Sequence, residues 1–300
     1  SKKTKNNSVA SIRTKFTRSA IAVSVAAFSG HTLAVNTNDG GAYQFAGGTG
    51  GNKPTITVVD STPGLVSFTE DTRQLNIDIN PVAAGRKAIL LWDKFDTTSG
   101  DTINFASTSG VYLNKTSDAG AGTFAANIIG HNTATVIFVA PNGLSLTGDV
   151  SSLKNLMIST VLGGGLENVG DGAAAALSSD INSYSITATG TSTVTLGAND
   201  YTMGERIRVI SGGLVTVAGD LTAVTEVMIS TNNGDVVGDA NTINSTAGRL
   251  TLDLGTGPAG VNANDLNTNV GTLNLLSSGE VNIDNNSDPI ILIGTGWDAG

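Results

Sequence analysis

The strongest constraint on this chain is a spacing. Short β-rich runs begin at Ile207, Val227, Leu250 and Leu273, separated by 20, 23 and 23 residues, and a further run begins near Ile290, some 17 later. Comparable runs come earlier, among them Thr55–Val59, Leu75–Ile79, Val136–Val139, Ser185–Ala188 and Val194–Leu196. Apolar and polar residues alternate within them, which sends one face inward and one outward. Gly, Asn, Asp and Ser separate them, as turns require. An imperfect repeat of about 20 residues is the mark of a solenoid, in which each coil adds strands to a parallel ladder. An antiparallel sandwich or barrel also yields many short strands, but the recurring interval favours stacked coils. The expectation is an all-β fold: a right-handed parallel β-helix (solenoid) with an N-terminal β cap. Dividing residues 55–300 by ~22 predicts ~11 rungs, a rod of roughly 50 Å. Helix signals are confined to residues 149–156, with room for about two turns, and 172–177, with room for one.

Composition fits a narrow coil. Of 300 residues 38 are Gly, and aromatics make up only 5%. Corners use the conformational freedom of Gly and Asn, Asn can also stack along the coil, and a thin core has little space for large rings. No cysteine is present, which excludes disulfide scaffolds, thiolate metal sites and cysteine nucleophiles. With two histidines, His31 and His131, a Ser–His–Asp machine or a His-rich metal site has almost nothing to draw on.

Charge is unevenly placed. Lys2, Lys3, Lys5, Arg13, Lys15 and Arg18 stand in the first 18 residues without an acid, so a net charge of −9 becomes −15 over residues 19–300. An acidic body argues against nucleic acid and anionic lipid as partners. The basic start leads into the apolar run Ser19–Phe28, the pattern of a secretory signal peptide and too short to span a bilayer. The expected division is a signal peptide at 1–34 cleaved after Ala34, a capped, motif-bearing part at 35–165, and further rungs at 166–300. The chain opens without Met and runs out amid Ile290–Asp298, so a piece of a longer precursor is expected. The first rung would expose open strand edges. Residues 35–69, with a hairpin pattern at Ala42–Phe45 and the glycine-rich turn Gly47–Gly51, are the candidate cap.

The stretch from Ala88 to Phe105 has a recognisable form. An apolar triplet precedes Trp92, Phe95 follows, and a Gly100-Asp101 turn leads to a strand ending in Phe105. Val111–Asn114, Ile128–Gly130 and Val136–Val139 come next, then Ala140-Pro141-Asn142-Gly143-Leu144. This order resembles the N-terminal secretion domain of two-partner-secretion exoproteins, the filamentous-haemagglutinin family of Gram-negative bacteria. That family has an isoleucine–asparagine–tryptophan strand and an Asn-Pro-Asn-Gly signature followed by an aliphatic residue. Here Leu91 precedes Trp92, and Ala140 replaces the first Asn of the signature. The motifs cover about residues 50–165.

The resemblance implies a secreted or cell-surface adhesin, exported through the periplasm and then through an outer-membrane β-barrel transporter. The transporter's periplasmic domains would recognise Trp92, Phe95, Pro141, Asn142, Gly143 and Leu144 in an extended chain. Host or neighbouring-cell receptors would be engaged by regions beyond this chain. Lack of cysteine suits a chain that must thread a pore.

Catalysis finds little support in the residues. His131 lies between Gly130 and Asn132 in an expected surface turn. Asp78, Asp93, Asp96 and Asp101 read as solvated turn residues. Arg206 and Arg208 read as an exposed pair, and Trp92 and Phe95 as packing. No calcium loop, phosphate loop or metal-ligand spacing is present, so no cofactor is expected. The alternative from another class is a β-helical lyase or hydrolase acting on glycans, which would need carboxylates gathered beside a groove.

Overall fold

In the computed structural model the described residues are 34–35, 42–45, 53–59, 65–71, 73–80, 85–116, 118–170, 172–238, 242–260, 266–277, 279–286 and 291–294. The expected signal peptide, apart from Ala34, and the Gly47–Gly51 turn lie outside them. Residues 34–300 form one compact unit: a parallel β-solenoid of about eight turns.

Three ladders run along the coil. The longest stacks Lys87–Trp92, Val111–Thr116 and Thr135–Val139, then residues 155–159, 206–211, 226–231, 249–255 and 272–277. The second stacks short strands at Asp96–Thr97, Gly122–Phe124, Leu144–Leu146, Val194–Leu196, Val215–Val217 and Val236–Gly238. The third runs from Gln74–Ile79 through Thr102–Phe105 and Asn127–Gly130 to Ile283–Asn285. In a parallel ladder, residues one coil apart occupy equivalent positions, so side chains stack in columns. The sequence interval reports that register directly: Ile207 pairs with Val227, Val227 with Leu250, and Leu250 with Leu273. The further run expected near Ile290 follows as the strand Ile291–Gly294, whose Leu292 pairs with Leu273.

Period two sets what each column faces. Ala88, Tyr112, Val136, Leu156, Ile207, Val227, Leu250 and Leu273 form one inward column, each at most 3% exposed. On the second ladder Thr123, Ser145, Thr195 and Thr216 stack outward, where hydroxyls and β-branching suit a half-wet pleat. Corners bring main chains together. A β-carbon on Gly234 would lie 2.4 Å from Gly213, and one on Gly257 only 2.2 Å from the Gly234 carbonyl. Glycine stands at these corners because the turn beneath leaves no space.

Two antiparallel segments cap the first turn. Ala42–Gln44 pairs with Thr55–Val58, as the hairpin pattern led us to expect, and Thr55–Val58 pairs antiparallel with Lys87–Trp92. Ala34–Val35 pairs with Val66–Asp71, and that strand with Gln74–Ile79. Tyr43 joins the two, stacking on Phe68 with centroids 4.7 Å apart and donating its hydroxyl proton to Glu70.

Five expectations need correction. The run Ser185–Ala188 forms no strand, because it belongs to the excursion between the strands Val150–Ser159 and Val194–Leu196. There are about eight turns rather than ~11, because the cap and residues 161–193 add chain without adding coils. Residues 149–156 are not helical but open the strand Val150–Ser159, which has ladder partners on both sides. Asp101 is fully buried, not solvated, and accepts from Arg73 Nε at 2.8 Å. Arg208 is only 6% exposed, because residues 161–193 lie over the outer face of the long ladder. Their Leu166, Ala174, Leu177, Ile181 and Tyr184 form a second apolar cluster there with Ile89, Leu113, Ile137 and Met157.

Two measurements test this architecture. Phe138→Ala should cost about 3–5 kcal/mol, because it empties a fully buried site, whereas Ser145→Ala on the outward column should stay within about 0.5 kcal/mol; urea unfolding measures both. All four tyrosines have raised pKa values with burial as the largest cause: Tyr112 is pushed up to about 12, and Tyr43, Tyr184 and Tyr201 also rise. A phenol whose folded pKa exceeds the ~10 of an unfolded chain stabilises the fold below that pH, and the contribution is lost as pH climbs toward the folded value. Phenolate absorbance at 295 nm should therefore stay low through pH ~10 and rise together with unfolding; four ordinary titrations near pH 10 would contradict the burial.

Candidate functional site: the capped first turns

The residues singled out from the sequence fall into one corner of the solenoid. Trp92 ends the long-ladder strand of turn one, and Phe95 sits at the corner that follows. Both point inward, 1% and 0% exposed. Two turns above, Ala140 to Gly143 form a β-turn closed by a 3.0 Å bond from Gly143 N–H to the Ala140 carbonyl. Proline after the first residue and glycine at the fourth are what such a turn favours. Gly122, from the intervening turn, joins the two motif halves. It donates to the Gly143 carbonyl at 3.0 Å, and a β-carbon on it would lie 2.6 Å from Phe95 Cβ.

Beneath this corner the core is aromatic. Trp92, Phe95, Phe124 and Phe138 pack edge to face with centroids 5.1–6.0 Å apart. Such contacts add to the area each ring buries. The indole N–H of Trp92 would be costly to leave unmade. Asn114 meets it at 3.0 Å and, itself fully buried, donates onward to the Ile137 carbonyl at 3.3 Å.

Little of the signature turn is accessible. Gly143 and Leu144 are buried, Pro141 is half-buried, and Asn142 is exposed. Asn142 Nδ2 donates to the Asp118 carbonyl at 2.5 Å, and Ser192 Oγ to the Pro141 carbonyl at 2.6 Å. The turn is thus tied to the turns on either side. Sequence reasoning missed Gly122, Asn114, Asp118 and Ser192. Of these Asn114 stood at the end of the motif run Val111–Asn114, and Gly122 opens the strand that ends in Phe124.

Other candidate chemistry is occupied elsewhere. His131 is half-buried and its Nδ1 meets Thr133 Oγ1 in its own turn at 2.8 Å. Asp93 accepts from the Thr55 N–H at 2.8 Å. Lys115 Nζ donates to the Leu166 carbonyl at 2.7 Å, and burial lowers its pKa. A groove of about 260 Å³ lies where residues 186–188 meet turns six and seven, with Ser230, Asn232 and Asp253 on its walls. It holds one carboxylate, and among the described residues no three of His, Asp and Glu converge as a metal site would need. Among those residues, too, no helix is long and apolar enough to cross a membrane. No protein family, curated protein or solved structure matches the chain.

Gly143 has φ +106°, and a β-carbon on it would lie 3.0 Å from the Thr193 carbonyl. Gly143→Ala should therefore cost about 1–3 kcal/mol and raise hydrogen exchange at Gly122 and Leu144 before more distant turns; unchanged exchange there would show that the turn has slack.

Proposed function

We propose that this chain is the N-terminal secretion domain of a large exported surface adhesin of the filamentous-haemagglutinin kind. An outer-membrane β-barrel transporter recognises it in extended form through periplasmic domains, and it nucleates β-helix folding outside the cell. The observation that carries this reading is the placement of the motif residues. Both halves meet in one capped corner, above an aromatic cluster confined to the first three turns. In a solenoid each turn contacts only its neighbours, so folding starts wherever the local contacts are strongest and spreads from there. A chain emerging N-terminus first delivers its cap and its densest packing first. Trp92 and Phe95 are enclosed once folded, so a partner reads them only before folding. The absence of cysteine keeps the chain threadable. Receptor contacts belong to regions beyond this chain. Glycan cleavage is less well supported, since hydrolysis calls for a pair of carboxylates and the groove offers Asp253 alone.

Replacing Pro141, Asn142 and Gly143 together by alanine should lower secretion at least ten-fold in cells carrying the transporter, with the protein accumulating in the periplasm. Undiminished secretion would remove the signature from transporter recognition.

A further inference from the structure

The sequence holds the Asn-Gly pair twice, at Asn142-Gly143 and Asn233-Gly234. In such a pair the glycine nitrogen, with no side chain beside it, can attack the carbonyl carbon of the asparagine side chain. The fold treats the two pairs in opposite ways. In the signature turn both ends of that reaction are held. The Gly143 N–H is spent on the Ala140 carbonyl at 3.0 Å, and Asn142 Nδ2, the group that would leave, donates to the Asp118 carbonyl at 2.5 Å. Asn233 stands exposed at a corner after the long-ladder strand of turn six, at φ +57°, a conformation that Asn tolerates. Its Oδ1 accepts from both the N–H and the hydroxyl of Thr256 in the next turn, at 2.8 and 2.9 Å. A β-carbon on Gly255 would lie 2.5 Å from the same oxygen, so the carboxamide is seated against turn seven. Two donors on one carbonyl oxygen stabilise negative charge as it develops there. Asn233 Nδ2 and the Gly234 N–H have no partner among the described residues, so both the attacking and the leaving nitrogen are free.

We propose that Asn233-Gly234 is a self-modification site, where the fold speeds closure of the side chain to a succinimide and its hydrolysis to aspartate or isoaspartate, while the signature turn protects Asn142. The Gly234 nitrogen attacks Asn233 Cγ and gives up its proton, through water, to the departing Nδ2. The bond from Gly234 N to Cγ forms, the bond from Cγ to Nδ2 breaks, and ammonia leaves. Charge that builds on Oδ1 is met by the two Thr256 donors. One water molecule then opens the ring at either of its carbonyls. Both products put a carboxylate where a neutral amide stood, on the wall of the groove that holds Asp253. The isoaspartate product also adds a carbon to the main chain, at a corner where even a β-carbon on Gly234 would lie 2.4 Å from Gly213. Conversion therefore loosens the stacking of this corner as the protein ages. None of this depends on the route of export.

The test incubates the unaltered full chain at mildly alkaline pH, folded and in denaturant, and then cuts it with trypsin. Residues 116–154 and 209–249 carry the two asparagines on separate peptides, and fragment masses place each change from amide to acid. In the folded chain Asn233 should convert at least ten-fold faster than Asn142, and faster than Asn233 itself does in denaturant. In denaturant the two should convert at similar rates. Equal rates in the folded chain, or a slower Asn233 folded than unfolded, overturn the proposal. Thr256→Val removes the hydroxyl donor and should slow Asn233 at least three-fold, while Thr256→Ser should keep the rate. No slowing by Thr256→Val, or equal slowing by both variants, overturns the part given to the hydroxyl. The comparison on the unaltered chain stands whether or not either variant folds.

Discussion

Every turn of this solenoid hydrogen-bonds to the turns immediately before and after it, and the rest of the structure follows from keeping those bonds in register. Register puts like positions on top of one another, so one residue choice repeated each turn makes a column. It also presses corners together until only glycine fits, as at Gly213, Gly234 and Gly257. A one-residue slip would turn the inward column that includes Val227 and Leu250 out to water. The ladder thus selects the aliphatic core, the corner glycines and the outward Thr and Ser at once.

A ladder has two ends and three outer faces, and this chain treats them unequally. The N-terminal end is closed by antiparallel strands that convert exposed edges into paired ones. One outer face is closed in its first half by residues 161–193, which gives the molecule a second apolar cluster outside the coil. The cost of that arrangement is buried charge. Lys115 and Arg208 both lose water under that segment, and burial lowers both pKa values. Main-chain carbonyls take the place of that water. Arg208 is held by two of them, although its Nε remains buried without a partner.

The aromatic residues concentrate at the capped end. Trp92, Phe95, Phe124 and Phe138 share one cluster, while the later turns are filled mainly by Val, Ile and Leu, with Tyr201 as the one buried ring of their inner core among the described residues. The first three turns hold these rings, with Asn114 buried among them to satisfy the indole. This unevenness makes the capped end a natural starting point for a nearest-neighbour fold.

Local pattern alone determined the class of fold, the hairpin of the cap, and the pairing of Ile207, Val227, Leu250 and Leu273. These were legible because a parallel ladder translates a fixed sequence interval into a fixed spatial step. The step from Leu156 to Ile207 was not legible, since 51 residues separate these ladder partners and no periodicity survives an excursion of that length. Nor could the sequence place Asp101 or Arg208 inside, because their burial is imposed by other chain segments. The meeting of Phe95, Gly122 and Gly143 in one corner was also decided only in three dimensions. Each motif half specifies its own turn, but the stacking of intervening coils sets which turns lie against each other.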